Sequence, residues 1–76
     1  MFLLTSQFLN GTVTIGMASF GINADSFSDA IQKVKNLPNF KLATNITEND
    51  TILSFNLPND IIITYCYLKN EKLEII

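Results

Sequence analysis

One segment of the chain has the residue spacing of an amphipathic helix, and this single helix limits the folds open to the other residues. Ser26 and Asp29 have the spacing of a capping box at a helix N-terminus, and Pro38 predicts that the helix ends near residue 37. The apolar residues between them recur every three or four positions and form one stripe: Phe27, Ala30, Ile31, Val34 and Leu37. Because the rest of the chain has a period of two, we expect this stripe to cover one face of a β-sheet.

The N-terminal residues predict a β-hairpin. Strands at residues 2–9 and 12–19 flank Asn10-Gly11, a dipeptide typical of two-residue hairpin turns. Counting outward from this turn gives the pairs Phe8–Val13, Ser6–Ile15, Leu4–Met17 and Phe2–Ser19. We expect the face that collects the apolar members of these pairs to be core. The other face is polar but uncharged, since the first charged side chain of the chain is Asp25.

Four further strands are predicted after the helix, at residues 40–46, 51–57, 60–69 and 72–76. A two-residue turn at 58–59 pairs Phe55 with Ile62. We therefore expect one α+β domain over residues 1–76, of order ββαββββ, whose antiparallel sheet of five or six strands has one helix packed on one face. The sheet face under the helix is predicted to contain Phe40, Leu42, Leu53, Phe55, Leu57, Ile62, Cys66, Leu68, Leu73 and Ile75.

The four strands predicted after the helix have an opposite face that is more apolar than a solvated sheet face usually is. Its polar positions and small residues are Lys41, Ala43, Asn45, Ser54, Asn56 and Glu74. Among them stands an apolar and aromatic row: Ile52, Ile61, Ile63, Tyr65, Tyr67 and Ile76. One helix covers only one sheet face, and monomers rarely leave such a patch to water. Either the N-terminal hairpin curls over this face, or another chain covers it, or the strand register differs from this count.

Composition removes most kinds of chemistry. The chain has no histidine, so it lacks the usual general base and the commonest metal ligand, and we expect neither an enzyme nor a metal or cofactor site. Cys66 lies within a strand on the predicted core face, which favours a buried, unreactive thiol. Five lysines, no arginine and a net charge of −2 disfavour a surface that binds nucleic acid.

The sequence also predicts a cytoplasmic protein. A single cysteine cannot form an internal disulfide, which fits a reducing compartment. The apolar start at residues 1–4 has no positively charged region and is too short for a signal peptide. No stretch approaches the ~18 apolar residues of a membrane span.

From the uncovered row we expect a small non-enzymatic module that binds protein, either as a homodimer or by masking a partner. The predicted contact residues are Ile52, Ile61, Ile63, Tyr65 and Tyr67. Inhibitors, antitoxins, immunity proteins and phage anti-defence proteins are of this type, and the many Asn, Ile and Lys residues fit an AT-rich bacterial or phage genome. The alternative is an oligomer that sequesters a nucleotide or another small ligand between its tyrosines.

Overall fold

The structure, a computed structural model, describes residues 1–58 and 61–70, in which five antiparallel strands form one sheet beside one α-helix. The strands are β1 (Phe2–Asn10), β2 (Val13–Ile22), β3 (Thr44–Glu48), β4 (Ile52–Leu57) and β5 (Ile63–Lys69). Helix α1 (Phe27–Lys35) and a 3₁₀ helix (Pro38–Leu42) connect β2 to β3. The strand order across the sheet is β2-β1-β5-β4-β3, so β5 is the central strand. The broad α+β class is confirmed, and the sixth strand predicted at 72–76 lies outside the described residues.

Helix α1 forms where its cap and its stripe predict. Ser26 has an extended backbone, and its hydroxyl accepts a hydrogen bond of 3.1 Å from the Asp29 backbone N–H. The buried residues of the helix are Phe27, Ala30, Ile31 and Val34. Leu37 was predicted to join them but is exposed, because the helix ends at Lys35.

The core lies between α1 and the inner strands of the sheet. Each inner strand contributes alternate residues to it: Phe2 and Leu4 from β1, Leu53 and Phe55 from β4, and Cys66 and Leu68 from β5. The Phe2 ring packs against Phe27 of the helix with 6.1 Å between ring centroids. The hairpin of β1 and β2 continues this sheet, since β1 pairs with β5 on one side and with β2 on the other.

The predicted hairpin register is wrong by three residues. Asn10 pairs with Val13, so the turn is at 11–12, and only Gly11 in it has a positive φ, of 65°. A bulge then shifts the register, and Phe8 pairs with Gly16. Because side chains alternate along a strand, an odd shift reverses the faces of β2. Met17, predicted as core, therefore lies opposite the helix and is exposed, as are Ile15 at the bulge and Val13 beside the turn.

The segment that follows α1 also differs from the prediction. Residues 38–42 form a 3₁₀ helix where a strand was expected, since Pro38 starts a helical turn. Phe40 still packs edge-on against Phe55, at 5.0 Å between ring centroids. Leu42, predicted as core, is exposed, while Ala43, predicted on the opposite face, packs against the core. Lys41 belongs to the 3₁₀ helix and not to a strand.

The register of β4 against β5 is wrong by an even number of residues, with a different consequence. Phe55 pairs with Cys66 and not with Ile62, four residues away, because the connection is longer than two residues and β5 begins at Ile63. An even shift leaves each side chain on its predicted face. Leu68 is accordingly buried under α1, and Tyr67 lies on the opposite side. Ile62 precedes the strand.

Candidate binding face

The sheet face opposite α1, called here the open face, has two tyrosines at its centre. They come from β5, the middle strand of five. Cys66 and Leu68 on this strand are buried under the helix, so Tyr65 and Tyr67 point the other way. The tyrosine rings lie 5.8 Å apart at an interplanar angle of 35°. Helix α1, the one α-helix of residues 1–58 and 61–70, packs on the other face of the sheet.

Small hydroxyl residues flank Tyr67 on both sides. Its cross-strand neighbours are Thr5 on β1 and Ser54 on β4. Both are buried, at 6% and 7% exposure, although they lie on the face that the helix does not cover. The Thr5 hydroxyl is also within 3.4 Å of the Ser19 hydroxyl on β2. Thr5 and Ser54 are therefore closely packed cross-strand neighbours on either side of Tyr67.

Amide side chains flank the second tyrosine. Tyr65 pairs with Gln7 on β1 and with Asn56 on β4. Each amide offers donors and an acceptor beside the phenol. The centre of the open face therefore presents aromatic rings next to hydrogen-bonding groups that carry no charge.

Apolar residues continue the open face along β5 and its neighbours. Ile63 lies beside Leu9 of β1 and is about half exposed. Ile52 of β4 pairs with Lys69, whose ammonium lies 5.6 Å from the Tyr67 ring centroid. Lys69 is the one charged side chain that the described strands place on this face.

The structure thus brings together four of the five residues that the sequence predicted for partner contact. These are Ile52, Ile63, Tyr65 and Tyr67. Ile61 is separate from them, since it lies before β5, pairs with no described strand residue and is 78% exposed. Asn45, predicted on the same face, falls where the β3–β4 register is irregular and has a φ of 53°.

Sequence reasoning put Thr5 and Gln7 on the uncharged face of the hairpin, a hint of an interface, but did not join that face to the row on β4 and β5. Thr5 and Gln7 extend the open face across β1, and Met17 of β2 stands beside Gln7 and is 60% exposed. The absence of charge before Asp25 was the available signal, because an uncharged strand face is unusual on a surface that only meets water. No residue pattern in the sequence predicts the bulge that places Met17 on this side.

Cys66 lies on the other side of the sheet and is not part of the open face. It is buried, as predicted, and its sulfur is 3.3 Å from the Ser6 hydroxyl oxygen. Burial raises the pKa of the thiol, and the hydrogen bond with Ser6 opposes that shift in part. The neutral thiol is a weak nucleophile. Over the described ranges, no cluster of three or more His, Cys, Asp or Glu residues is placed to hold a metal ion.

An apolar cleft of about 510 Å³ lies on the helix side, where the short α1 leaves part of the sheet uncovered. Phe8, Phe20 and Leu57 form its sheet wall, and Leu37 and Phe40 form the opposite wall. Its polar lining consists of three residues: Ser6, Asn39 and Thr64. None of the residues that line it is charged.

Comparison with known protein families, with curated proteins and with solved structures gives no match for this chain. In the part of the chain that the structure describes, no helix has the length and apolar character needed to cross a membrane.

Proposed function

We propose that this chain is a non-enzymatic module that binds another protein through the open face and so masks part of that protein's surface. The observation that carries the proposal is the position of Tyr65 and Tyr67 side by side at the centre of a sheet face that α1 does not cover. A second copy of the chain on the same face is the other form that such binding takes.

The residue types of the open face are those of protein recognition surfaces. Tyrosine supplies a large amphipathic contact area and loses little conformational entropy on binding, while Ser, Thr and Asn supply adaptable hydrogen bonds. Here Thr5 and Ser54 are the cross-strand neighbours of Tyr67, and its ring also lies near the Tyr65 ring and the Lys69 ammonium. An aromatic residue in such surroundings has the character of a binding hot spot.

The charge of the open face favours a protein over a nucleic acid. Phosphate backbones are bound by clusters of Lys and Arg, and a stacking platform for bases combines its aromatic residues with such cations. Lys69 is the single cation that the described strands bring to this face, and its ammonium is held near Tyr67. A partner surface rich in apolar and uncharged polar groups fits this face better.

On this proposal a module of this small size acts by occupying its partner's surface. We place it among the inhibitors, antitoxins, immunity proteins and phage anti-defence proteins, in the cytoplasm of a bacterium. The unpaired and buried Cys66 is consistent with a reducing compartment.

Site-specific photo-crosslinking tests the proposal. A photoreactive residue replaces Asn56, beside Tyr65 on the open face, or Gln32, which is exposed on the outer side of α1. In a bacterial lysate, we expect the chain labelled at Asn56 to crosslink a discrete protein and the chain labelled at Gln32 to crosslink none. Crosslinks from Gln32, or none from Asn56, would contradict the open face as the binding surface.

A small-ligand function is the second candidate, and the apolar cleft supports it. Its volume of about 510 Å³ is within the ~300–1,000 Å³ range of ligand pockets. With no charged residue in its lining, the cleft suits an uncharged apolar molecule better than a nucleotide. A ligand that binds only the folded state raises Tm as its concentration rises, and Phe20→Ala should weaken that rise. A panel of apolar compounds that leaves Tm unchanged would remove this candidate.

A further inference from the structure

We propose that the outer edge of β2 pairs with β2 of a second copy of this chain, so that two five-stranded sheets join into one. This inference goes beyond the proposed function, because it uses the edge of the sheet and leaves the open face free for a different protein.

The two edges of the described sheet differ in how they are protected. An edge strand presents a row of unpaired N–H and C=O groups, and proteins usually disrupt such rows with short strands, charges, bulges or proline. Edge strand β3 has five residues, ends in Glu48 and loses its register around Asn45, where φ is 53°. It carries the usual protection.

Edge strand β2 lacks most of these devices. It runs for ten residues, from Val13 to Ile22, without a charge or a proline. Its one irregularity is the bulge near Ile15, at the turn end of the strand. The stretch from Gly16 to Ile22 pairs regularly with β1 on its inner side. Among the described residues, no strand pairs with its outer side.

Large apolar side chains are exposed on both faces of β2. Met17 lies on the open face, and Phe20 lies on the helix side, paired with Leu4. Each is more than half exposed. A protein laid over one face of the sheet would cover only one of them. A strand added beside β2 places its own side chains against both.

A second copy of β2 meets these requirements. Rotation by two-fold symmetry about an axis normal to the sheet brings two β2 strands together antiparallel and keeps each face on its own side. The added strand is then as uncharged as the edge it joins, so no charge is buried or opposed. It also has apolar residues on both of its faces. The two open faces lie on the same side of the joined sheet.

Sedimentation analysis of the full chain tests this pairing. We expect a concentration-dependent mass that reaches twice the 8.5 kDa of the single chain. Met17→Lys and Phe20→Lys put a charge on opposite faces of β2, and each should raise the dimer dissociation constant by about tenfold or more. The matched control is Ile46→Lys, which changes an exposed apolar residue on β3 and should leave the dimer intact.

Amide hydrogen exchange on the unmodified chain is a second test that does not depend on how any variant folds. Pairing with β1 alone protects alternate amides of β2, whereas pairing on both sides protects consecutive amides. We expect consecutive protection over residues 17–20 that increases with protein concentration. Alternate protection at every concentration would overturn the proposal.

Two sedimentation results would also overturn it. One is a wild-type mass that stays at that of a single chain up to the solubility limit. The other is a dimer that Tyr65→Glu dissociates while Met17→Lys and Phe20→Lys do not. That second result would place the second copy on the open face, so edge pairing would fail while the open face remained a binding surface.

Discussion

The two faces of β5 differ in what their side chains contact. Leu68 and Cys66 point to α1 and are buried in the core. Tyr65 and Tyr67, one residue away on the same strand, are only partly buried, and their rings lie near each other on the open face. The core needs Leu68 and Cys66 for their volume and apolar character. The tyrosines lie outside this core, and under the proposed function they serve binding.

The small size of the domain makes its stability depend strongly on the side chains of the buried face. A chain of this length buries only about 60% of its unfolded surface, so the folded state depends on a few core residues. A large aromatic side chain on the other face adds little to the stability of the fold if it stays exposed to water. Substitutions on the two faces should therefore separate stability from binding.

The largest effect is expected on the helix side. Leu68→Ala removes a fully buried side chain under α1 and should destabilise the fold by about 2–5 kcal/mol, enough to unfold much of a domain this small. Thermal unfolding followed by circular dichroism measures the change. Lys69→Ala, at the next and exposed position of β5, is the matched control and should leave Tm nearly unchanged. Equal losses for both variants would break the distinction between the faces.

A smaller effect is expected at the start of α1. Ser26→Ala removes the hydroxyl that accepts the Asp29 N–H, which should cost about 1 kcal/mol and lower Tm by about 4–8 °C. Ser28→Ala, at an exposed position within the helix, should keep or slightly raise Tm because alanine is the better helix former. An unchanged Tm in Ser26→Ala would show that this N-cap does not help to hold the helix on the sheet.

The smallest effect is expected at Cys66 and depends on pH. Burial raises the pKa of this thiol in the folded state, so the unfolded chain loses the proton first. The stabilising contribution is complete below the ordinary thiol pKa of about 8.5 and decreases as pH rises through the folded value. Urea unfolding at pH 7 and pH 10 measures it. Cys66→Ala is the reference for other titrating groups, and an equal pH dependence in both chains would contradict a buried thiol.

The sequence predicted most of the inner sheet and the helix because their signals are local. The capping serine, the helical stripe and the period of two in β4 and β5 each act within a few residues. The error in the β4–β5 turn was an even number of residues, so Tyr65, Tyr67 and Leu68 kept their predicted faces. Four of the predicted contact residues therefore lie together despite a wrong register.

The hairpin shows why the rest could not be predicted. Its register differs by an odd number of residues, because the turn lies one residue later and a bulge follows it. That reversed β2 and moved Met17 from the predicted core to the open face. A bulge depends on how the strand packs against its neighbours, and no residue of the hairpin predicts it. In the 3₁₀ helix at 38–42, which Pro38 starts, Phe40 packs on Phe55, a contact distant in sequence that the period of two did not predict.

Folding and partner binding of one double variant, Ile63→Lys with Tyr65→Glu, test the central claim most directly. Both changes put a charge on the open face at positions that are not fully buried. If this face serves binding, the variant should unfold cooperatively with a Tm close to that of the wild type. With the photoreactive residue in place of Asn56, it should no longer crosslink the protein that the chain without these two changes crosslinks. A variant that does not fold, or one that folds and still crosslinks that protein, would contradict the account.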